Sequence, residues 1–341
     1  AITLREGQLR LGRPPHVLAN LAGTYSNRAK VRFALGKNSD ALVDMLAAKE
    51  LLEELVQGGF EGFEADRAQV VHNMGVAMGG VGNHQQAIEF ANEAIAIARR
   101  RYSDERRAES DFLACALHFK ATQLMFLGRV EDATESYRLA EQEWDRLLER
   151  GFPTAQSGRD FTLVEYAGLL RATGNAQAGL DVLDKVSADG QSRVGAMLAK
   201  GRCLIGIGKH SDSVELLQNA LSNQMPKLLG SHGLSDELLL AEIQVALADI
   251  LATADSSDVR DGKRALVLAM SAMRLTRGGD FYSKQGLAAA HAELGEFEEA
   301  TKWQEAALAA SSEWTQADAE KRLQSYRLKQ PFRRVSSSAG Q

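Results

Sequence analysis

Four glycines recur along the first half of the chain at one fixed interval. Gly36, Gly82, Gly128 and Gly174 lie 46 residues apart. A glycine just past a helix end adopts the left-handed backbone conformation that closes the helix cheaply. After the first three glycines, alanines stand five and twelve positions later, where small side chains let two helices pack closely. These alanines are Ala41, Ala48, Ala87, Ala94, Ala133 and Ala140. The spacing predicts repeated pairs of helices, each joined by a tight turn.

The same pattern continues in the second half at a shorter period. Gly208 follows Gly174 after 34 residues, and Gly295 is followed by alanines at the same two distances. Such a pair buries its apolar face only by stacking on its neighbours. We therefore predict an all-α fold, a right-handed superhelical α-solenoid of about seven antiparallel helix pairs. The predicted segments are an N-terminal edge at 1–13, extended repeats at 14–187, shorter repeats at 188–310, a capping helix at 311–329 and a disordered tail at 330–341.

Charge and composition exclude several classes of protein. The net charge of −5 argues against a general nucleic-acid surface, which usually needs a basic excess. The two cysteines lie inside helical patterns, so no disulfide framework is predicted. No apolar run reaches roughly 18 residues, so we predict no membrane span. No signal peptide is visible, which favours a cytoplasmic location, but the chain starts at Ala1 without methionine. A removed leader and a larger parent chain both stay open as alternatives.

The sequence offers few arrangements of reactive residues. His72 and His118 hold the same repeat position, but a metal site would need further ligands around one ion, and none is in clear reach. The segment 206–211, GIGKHS, lacks the first glycine and the hydroxyl residue of a phosphate loop and is interpreted as a turn. No catalytic triad or paired-carboxylate signature stands out. We predict no enzyme activity, no cofactor and no metal. An enzyme would need a polar pocket where groups such as His72, His118 and Glu165 converge.

The repeat pattern resembles the tetratricopeptide repeat over about residues 16–328. The segment after Asp258, through ELGEFEEATKWQEAAL, closely resembles the end of bacterial arrays of this family. Those arrays often finish with a Tyr-Arg-x-x-x-Pro-Phe/Tyr-Arg stretch. Here these residues are Tyr326, Arg327, Pro331, Phe332 and Arg333. The family's usual repeat has 34 residues, so the 46-residue front units are longer, as in arrays of the kinesin light chain type.

The resemblance implies a function in protein binding. In this family the first helix of each pair lines a concave groove, and by resemblance the groove here includes Asn27, Lys30, His72, Asn73, His118, Thr122, Arg171 and Arg202. The expected function is a non-enzymatic scaffold that binds a peptide or protein segment. An asparagine in the groove can bond both donor and acceptor of an extended backbone, or it can bond a neighbouring helix. The alternative function is a regulatory or sensor segment of a larger signalling protein, for example behind a Ser/Thr kinase.

Two hypotheses follow from these patterns. The extended spacing and the register of Asn27 and Asn73, again 46 residues apart, suggest that the front three units form the ligand surface. The amphipathic pattern of Trp314, Leu323 and Tyr326 suggests that the last helix caps the open end of the array.

Overall fold

The fold consists of α-helices joined mostly by short turns. The computed structural model describes residues 2–3, 6, 13–102, 110–187, 190–225, 234–311 and 313–334. Across these ranges it contains fifteen α-helices and no β-strand. The chain divides into two compact units, Ala1–Thr162 (unit 1) and Leu163–Gln341 (unit 2), and the boundary falls within one helix. The predicted N-terminal edge at 1–13 lies mostly outside the described residues.

Over residues 13–102 and 110–162, unit 1 contains three helix pairs and the beginning of a seventh helix. The helices are α1 (Pro15–Ala34), α2 (Asn38–Gln57), α3 (Glu64–Gly80), α4 (His84–Tyr102), α5 (Phe112–Phe126), α6 (Val130–Glu149) and α7 (Ala155–Ala172). Consecutive helices pack against each other, and α2 is followed by a 3₁₀ turn at Glu61–Phe63.

Unit 2 begins in α7 and adds eight further helices. These are α8 (Ala176–Leu183), α9 (Gly190–Gly206), α10 (His210–Asn219), α11 (Leu234–Thr253), α12 (Gly262–Leu275), α13 (Phe281–Glu293), α14 (Phe297–Leu308) and α15 (Glu313–Arg327). A π-helical turn, Ala220–Gln224, continues α10. The largest apolar core of unit 2 joins α9 to α13 around Leu247 and Ile250.

The glycine turns confirm the pattern read from the sequence. All six predicted turn glycines have a positive φ, between 68° at Gly128 and 84° at Gly174. At Gly128 the turn closes through a bond from the Arg129 amide to the Leu124 carbonyl oxygen at 3.0 Å. The alanines five and twelve positions after the turns are fully buried.

One departure from the alanine pattern has a steric reason. Gly179 stands where the earlier repeats carry alanine. A Cβ at this position would lie 3.0 Å from the Cys203 sulfur and 3.1 Å from the Ala167 carbonyl oxygen. The cysteine of the next helix therefore occupies the space that a methyl group fills elsewhere.

The prediction of a disordered tail from residue 330 is wrong for residues 330–334, which we call the C-terminal strap. The backbone N–H of Arg334 donates to the Thr253 carbonyl oxygen at 2.8 Å, and Arg333 Nη1 donates to the Ala252 carbonyl oxygen at 3.1 Å. The Phe332 ring lies 4.7 Å from the guanidinium carbon of Arg322. A polar terminal stretch is usually poorly ordered. The strap is ordered because its hydrogen-bond and cation–π partners lie on α11 and α15. Residues 335–341 lie outside the described residues.

A buried ion network connects α11, α15 and the strap. Asp249 accepts a hydrogen bond from Arg322 Nη1 at 2.6 Å and another from Arg334 Nη2 at 2.5 Å. Arg322 also donates through Nε to Asp318 Oδ2 at 2.8 Å and has no exposed surface. Burial alone would raise the pKa of Asp249, but the two guanidinium groups outweigh it and hold that pKa well below its usual range.

The last helix, α15, packs against α13 and α14. Leu323 and Tyr326 are buried, and Tyr326 contacts Ala288 of α13 and Ala300 of α14. Burial raises the pKa of the Tyr326 hydroxyl to about 12. The side chain of Trp314, which contributed to the cap hypothesis, lies outside the described part of the chain. The role of α15 as a cap stays a prediction.

Candidate functional site in unit 2

The first helices of the pairs in unit 2 surround a cavity of about 600 Å³. The walls come from the C-terminal end of α7, from α9, α11 and α13, and from α15 and the strap. Residues that line it include Arg171, Arg202, Leu238, Glu242, Asp249, Phe281, Tyr282, Gln285, Asp318 and Arg334. The structure thus brings together two of the predicted groove residues, Arg171 and Arg202.

The carboxylates of the cavity wall are engaged by partners of the chain itself. Glu242 accepts a hydrogen bond from Arg202 Nη2 at 3.0 Å. Asp280 accepts one from the Ser283 backbone N–H at 2.8 Å and so caps the start of α13. Asp249 and Asp318 belong to the ion network described above. Each of these carboxylates therefore has at least one hydrogen-bond donor within the chain.

Two polar groups of the wall are left open. Within the described residues, no carboxylate forms an ion pair with Arg171, which is exposed near the C-terminal end of α7. Gln285 on α13 is only 7% exposed, and its Oε1 atom has no hydrogen-bond partner in the described part of the chain. Its Nε2 atom makes one long contact to Asp318 Oδ2 at 3.5 Å. A buried acceptor without a partner is uncommon in folded proteins.

Apolar side chains complete the cavity wall. Leu238 of α11 is 46% exposed and Tyr282 of α13 is 52% exposed, whereas Phe281 and Val245 beside them are buried. Large apolar side chains left open inside a concave site are typical of ligand pockets. Among the described residues, the cavity wall therefore presents Arg171 without a carboxylate partner, the Gln285 Oε1 acceptor and the exposed apolar side chains Leu238 and Tyr282.

In unit 1, His72 packs among aromatic rings. Its ring centroid lies 5.6 Å from that of Phe112 and 5.2 Å from that of Phe119, both edge-on and both on α5. Its Nδ1 atom has no hydrogen-bond partner among the described residues. Burial lowers the pKa of His72 to about 4, so the ring is neutral at pH 7.

His118 occupies the matching place on α5 and also packs between helices. Its Nδ1 atom lies 3.2 Å from Thr162 Oγ1, and its ring contacts Tyr137 and Phe161. Burial lowers the pKa of His118 to about 4. The Thr122 hydroxyl donates to the His118 carbonyl oxygen at 3.2 Å. These contacts hold His118 and Thr122 between neighbouring helices.

The remaining groove candidates of unit 1 are more accessible. Asn27 and Lys30 are exposed on α1. Asn73 is half-buried on α3, and its Oδ1 atom accepts a hydrogen bond from Gln69 Nε2 at 3.1 Å, one turn earlier on the same helix.

The residues singled out in the sequence as reactive have ordinary structural surroundings. The described residues contain no group of three or more His, Cys, Asp or Glu side chains that could hold a metal ion. The GIGKHS segment is a helix–turn–helix connection: Gly208 has a φ of 77°, and His210 opens α10 with its Nδ1 atom 2.8 Å from Asp255 Oδ1. Burial and the nearby carboxylate of Glu242 raise the pKa of Glu165 above its usual value. No described helix has the length and apolar character needed to cross a bilayer.

Several cavity residues were missed by the sequence analysis. Its groove assignment stopped at Arg202, although α11 and α13 are also first helices. Continuing that assignment would have reached Leu238, Tyr282 and Gln285. No sequence signal points to Arg334, because its place in the wall depends on the path of the strap.

Comparisons with known proteins identify the fold. No protein-family model and no curated protein sequence matches the chain. Among solved structures, a tetratricopeptide repeat protein from Parabacteroides merdae aligns with a TM-score of 0.54 and 13% identity, covering 90% of this chain and 98% of that chain. The apo form of the quorum sensor NprR from B. thuringiensis aligns with a TM-score of 0.55 and 14% identity, covering 87% and 77%. The chain has the α-solenoid fold of tetratricopeptide repeat proteins.

Proposed function

We propose that this chain is a non-enzymatic scaffold that binds a segment of another protein on the first-helix face, with the cavity of unit 2 as the main subsite. The observation that carries the proposal is the cavity of about 600 Å³ with Leu238 and Tyr282 exposed in its wall. Pockets of roughly 300–1,000 Å³ hold small ligands or a few side chains. The exposed apolar side chains contribute binding affinity, and polar groups without a partner within the described residues orient the ligand.

The architecture favours binding without rearrangement. The wall helices α11 and α13 pack against their neighbours through fully buried alanines, such as Ala248 on α11 and Ala288 on α13. A preorganised wall loses little conformational entropy when the ligand enters. In unit 1, we propose that Asn27, Lys30 and Asn73 belong to a binding surface of that unit by itself.

A selection from random peptides tests the proposal. A library of 12-residue peptides displayed on phage is selected on the purified chain, and the enriched peptides are measured by fluorescence anisotropy. Leu238→Ser should weaken their binding, because it removes an apolar contact inside the cavity. Val267→Ser is the matched control, since Val267 is an exposed aliphatic residue on the second helix α12. A library without enriched peptides, or equal binding by both variants, contradicts the proposal.

The contribution of unit 1 has its own test. The double variant Asn27→Ala, Asn73→Ala should weaken binding of the selected peptides while leaving the melting curve unchanged, because neither side chain belongs to the buried core. Unchanged binding confines the site to unit 2.

A second candidate function is a regulatory or sensor segment of a larger signalling protein. The cavity is of a size that can also hold a single small signal molecule or short peptide. NprR, which aligns with this fold, is a quorum sensor. A sensor would change the activity of an attached domain when its ligand binds, whereas a scaffold would bring partners together without such a change.

A further inference from the structure

We propose that the exposed sides of two second helices, α2 and α12, bind each other between two copies of this chain. The α2 face consists of Asp40, Val43, Leu46 and Glu50, and the α12 face consists of Lys263, Arg264, Val267, Met270 and Arg274. Neither face lines the cavity of unit 2, so the inference does not depend on the proposed function.

Each face centres on two large apolar side chains one helical turn apart. Val43 and Leu46 on α2 and Val267 and Met270 on α12 are all at least 48% exposed. Residues three positions apart are neighbours on a helix surface, so each pair forms one continuous apolar patch. In the part of the chain that the structure describes, no large apolar side chain of the other second helices is exposed to a comparable degree. The two patches are therefore exceptions among the second helices.

The α2 face carries only acids beside its apolar patch. Asp40 and Glu50 stand on either side of the patch, each about one helical turn from its nearest member. Both are exposed, and neither forms an ion pair with a described residue. The cation of Lys49 on the same helix is held by Glu93 of α4 at 2.9 Å. The α2 face therefore presents negative charge at both ends of its patch.

The α12 face carries only cations beside its patch. Lys263 and Arg264 lie about one helical turn before the patch and Arg274 lies one turn after it. All three are exposed, and none forms an ion pair with a described residue. Helix α12 itself contains no acidic residue, and the carboxylate of Asp261 caps its start by accepting from the Arg264 backbone N–H at 3.0 Å. The charge of the α12 face is thus opposite to that of the α2 face.

The spacing of the two faces matches as well as their chemistry. On each helix the two apolar residues are three positions apart, and a charged residue follows four positions later, at Glu50 on α2 and at Arg274 on α12. Because both ends of each patch are charged, acids meet cations whether the two helices run parallel or antiparallel. Apolar residues at the centre of a helix pair, with opposite charges along its edges, determine which helices associate.

The same charges disfavour contact between like faces. Two α2 faces would bring acids against acids, and two α12 faces would bring cations against cations, which weakens binding. The proposed contact is therefore heterologous, since each copy contributes a different face. Four apolar side chains make a small interface, so we expect weak self-association with a dissociation constant of about 10–100 µM.

Sedimentation velocity of the purified full chain between about 2 and 200 µM tests the contact. The sedimentation coefficient of wild type should rise with concentration. Leu46→Ser and Met270→Ser should each weaken the association by about tenfold or more, because each removes an apolar side chain from one face. Val81→Ser is the matched control, since Val81 is an exposed apolar residue at the turn after α3.

A mixture of the two serine variants distinguishes a heterologous contact from a symmetric one. Met270→Ser copies keep the α2 face, and Leu46→Ser copies keep the α12 face. An equimolar mixture should therefore recover part of the association that each variant lacks alone.

Charge reversal tests the complementarity directly. The variant Asp40→Lys, Glu50→Lys should lose self-association, and so should the variant Lys263→Glu, Arg264→Glu, Arg274→Glu. A chain with all five changes should associate again, because the signs of the two faces are exchanged. These side chains are exposed, so the charge variants keep the test valid if a serine variant fails to fold.

The control for charge is Glu89→Lys, an exposed glutamate on the second helix α4 that should leave association unchanged. A wild-type chain that stays monomeric at the highest concentration overturns the inference and leaves the two faces to other partners. Loss of association in Leu46→Ser but not in Met270→Ser, or the reverse, shows a symmetric contact and also contradicts it. So does a five-change chain that remains as dissociated as the two charge variants.

Discussion

Replacing Arg322 by methionine should destabilise unit 2 strongly, although methionine fills a similar apolar space. Arg322 has no exposed surface and bridges Asp249 at 2.6 Å and Asp318 at 2.8 Å. Its guanidinium also lies over the Phe332 ring. The substitution removes a cation from a buried site and leaves the Asp249 carboxylate with Arg334 as its remaining partner.

The expected cost follows from the burial of the pair. Removing one partner of a buried ion pair typically costs about 3–5 kcal/mol, because the other charge stays behind without compensation. Arg334 still reaches Asp249, so we expect the lower end, about 3 kcal/mol. For a domain of this size, that corresponds to a fall in melting temperature of about 6–12 °C.

Circular dichroism monitors unfolding in urea, and a thermal melt is measured on the same variants. The control is Arg327→Met on the same helix, where the pair with Glu305 is 60% and 52% exposed on its two sides. Exposed pairs contribute about 0–1 kcal/mol, so this variant should remain close to wild type.

A double variant separates charge from packing. Arg322→Met with Asp249→Leu removes both members of the buried pair and should recover part of the stability, since Arg334, which loses Asp249 as its partner, is 32% exposed to water. If Arg322→Met and Arg327→Met unfold at the same urea concentration, the network contributes nothing beyond a surface pair and the reasoning is refuted.

Three further predictions concern packing, pH and the last helix. Gly158→Ala should lower the stability of unit 1 by about 1–3 kcal/mol in urea unfolding, because its Cβ would lie 2.3 Å from a ring carbon of Trp144. The stability of unit 1 should fall as the pH is lowered from about 6.5 to about 4, because His72 and His118 are buried neutral with pKa values of about 4 while the unfolded chain takes up protons near pH 6.5; urea midpoints across this range measure it. Truncation after Ala310 should cause aggregation or a clear loss of stability, measured by light scattering and thermal melts, because it removes α15 and the strap.

Each of these predictions has a control. Gly168→Ala should stabilise slightly or have no effect, since no atom lies within 4 Å of the added methyl group. His72→Phe should make the stability less dependent on pH, because it removes one titrating ring that has no hydrogen bond at Nδ1; an unchanged pH profile would contradict the assignment. A soluble truncated chain of equal stability would show that α15 is no cap.

The repeat architecture was readable from sequence because its rules are local. The tight turn requires a glycine with positive φ, and close packing of the next helix requires a small residue. Both requirements depend on nearby backbone geometry, so both residues recur at fixed intervals. The predicted turns at Gly36, Gly82 and Gly128 and the buried alanines after them follow from these rules alone.

The features that escaped prediction depend on contacts between distant residues. The strap pairs Arg334 with Asp249, 85 positions earlier, and no periodic pattern marks either residue. His72 and His118 occupy equivalent repeat positions but have different partners. Nδ1 of His118 forms a hydrogen bond with Thr162 Oγ1, while Nδ1 of His72 has no hydrogen-bond partner among the described residues. The cavity arises from where several first helices and the strap come together, so its membership follows from three-dimensional packing.

The strap has a consequence for how unit 2 forms. In a repeat array each pair ordinarily contacts only its neighbours, so early pairs can fold before later ones exist. Here the buried carboxylate of Asp249 receives its partners from Arg322 and Arg334, which leave the ribosome some 70 to 85 residues after it. Until then α11 must keep that carboxylate in water or bury it without compensation. Completion of unit 2 during synthesis is therefore tied to the emergence of Arg322 and Arg334, and a ribosome stalled before residue 322 would hold helices in which Asp249 has neither partner.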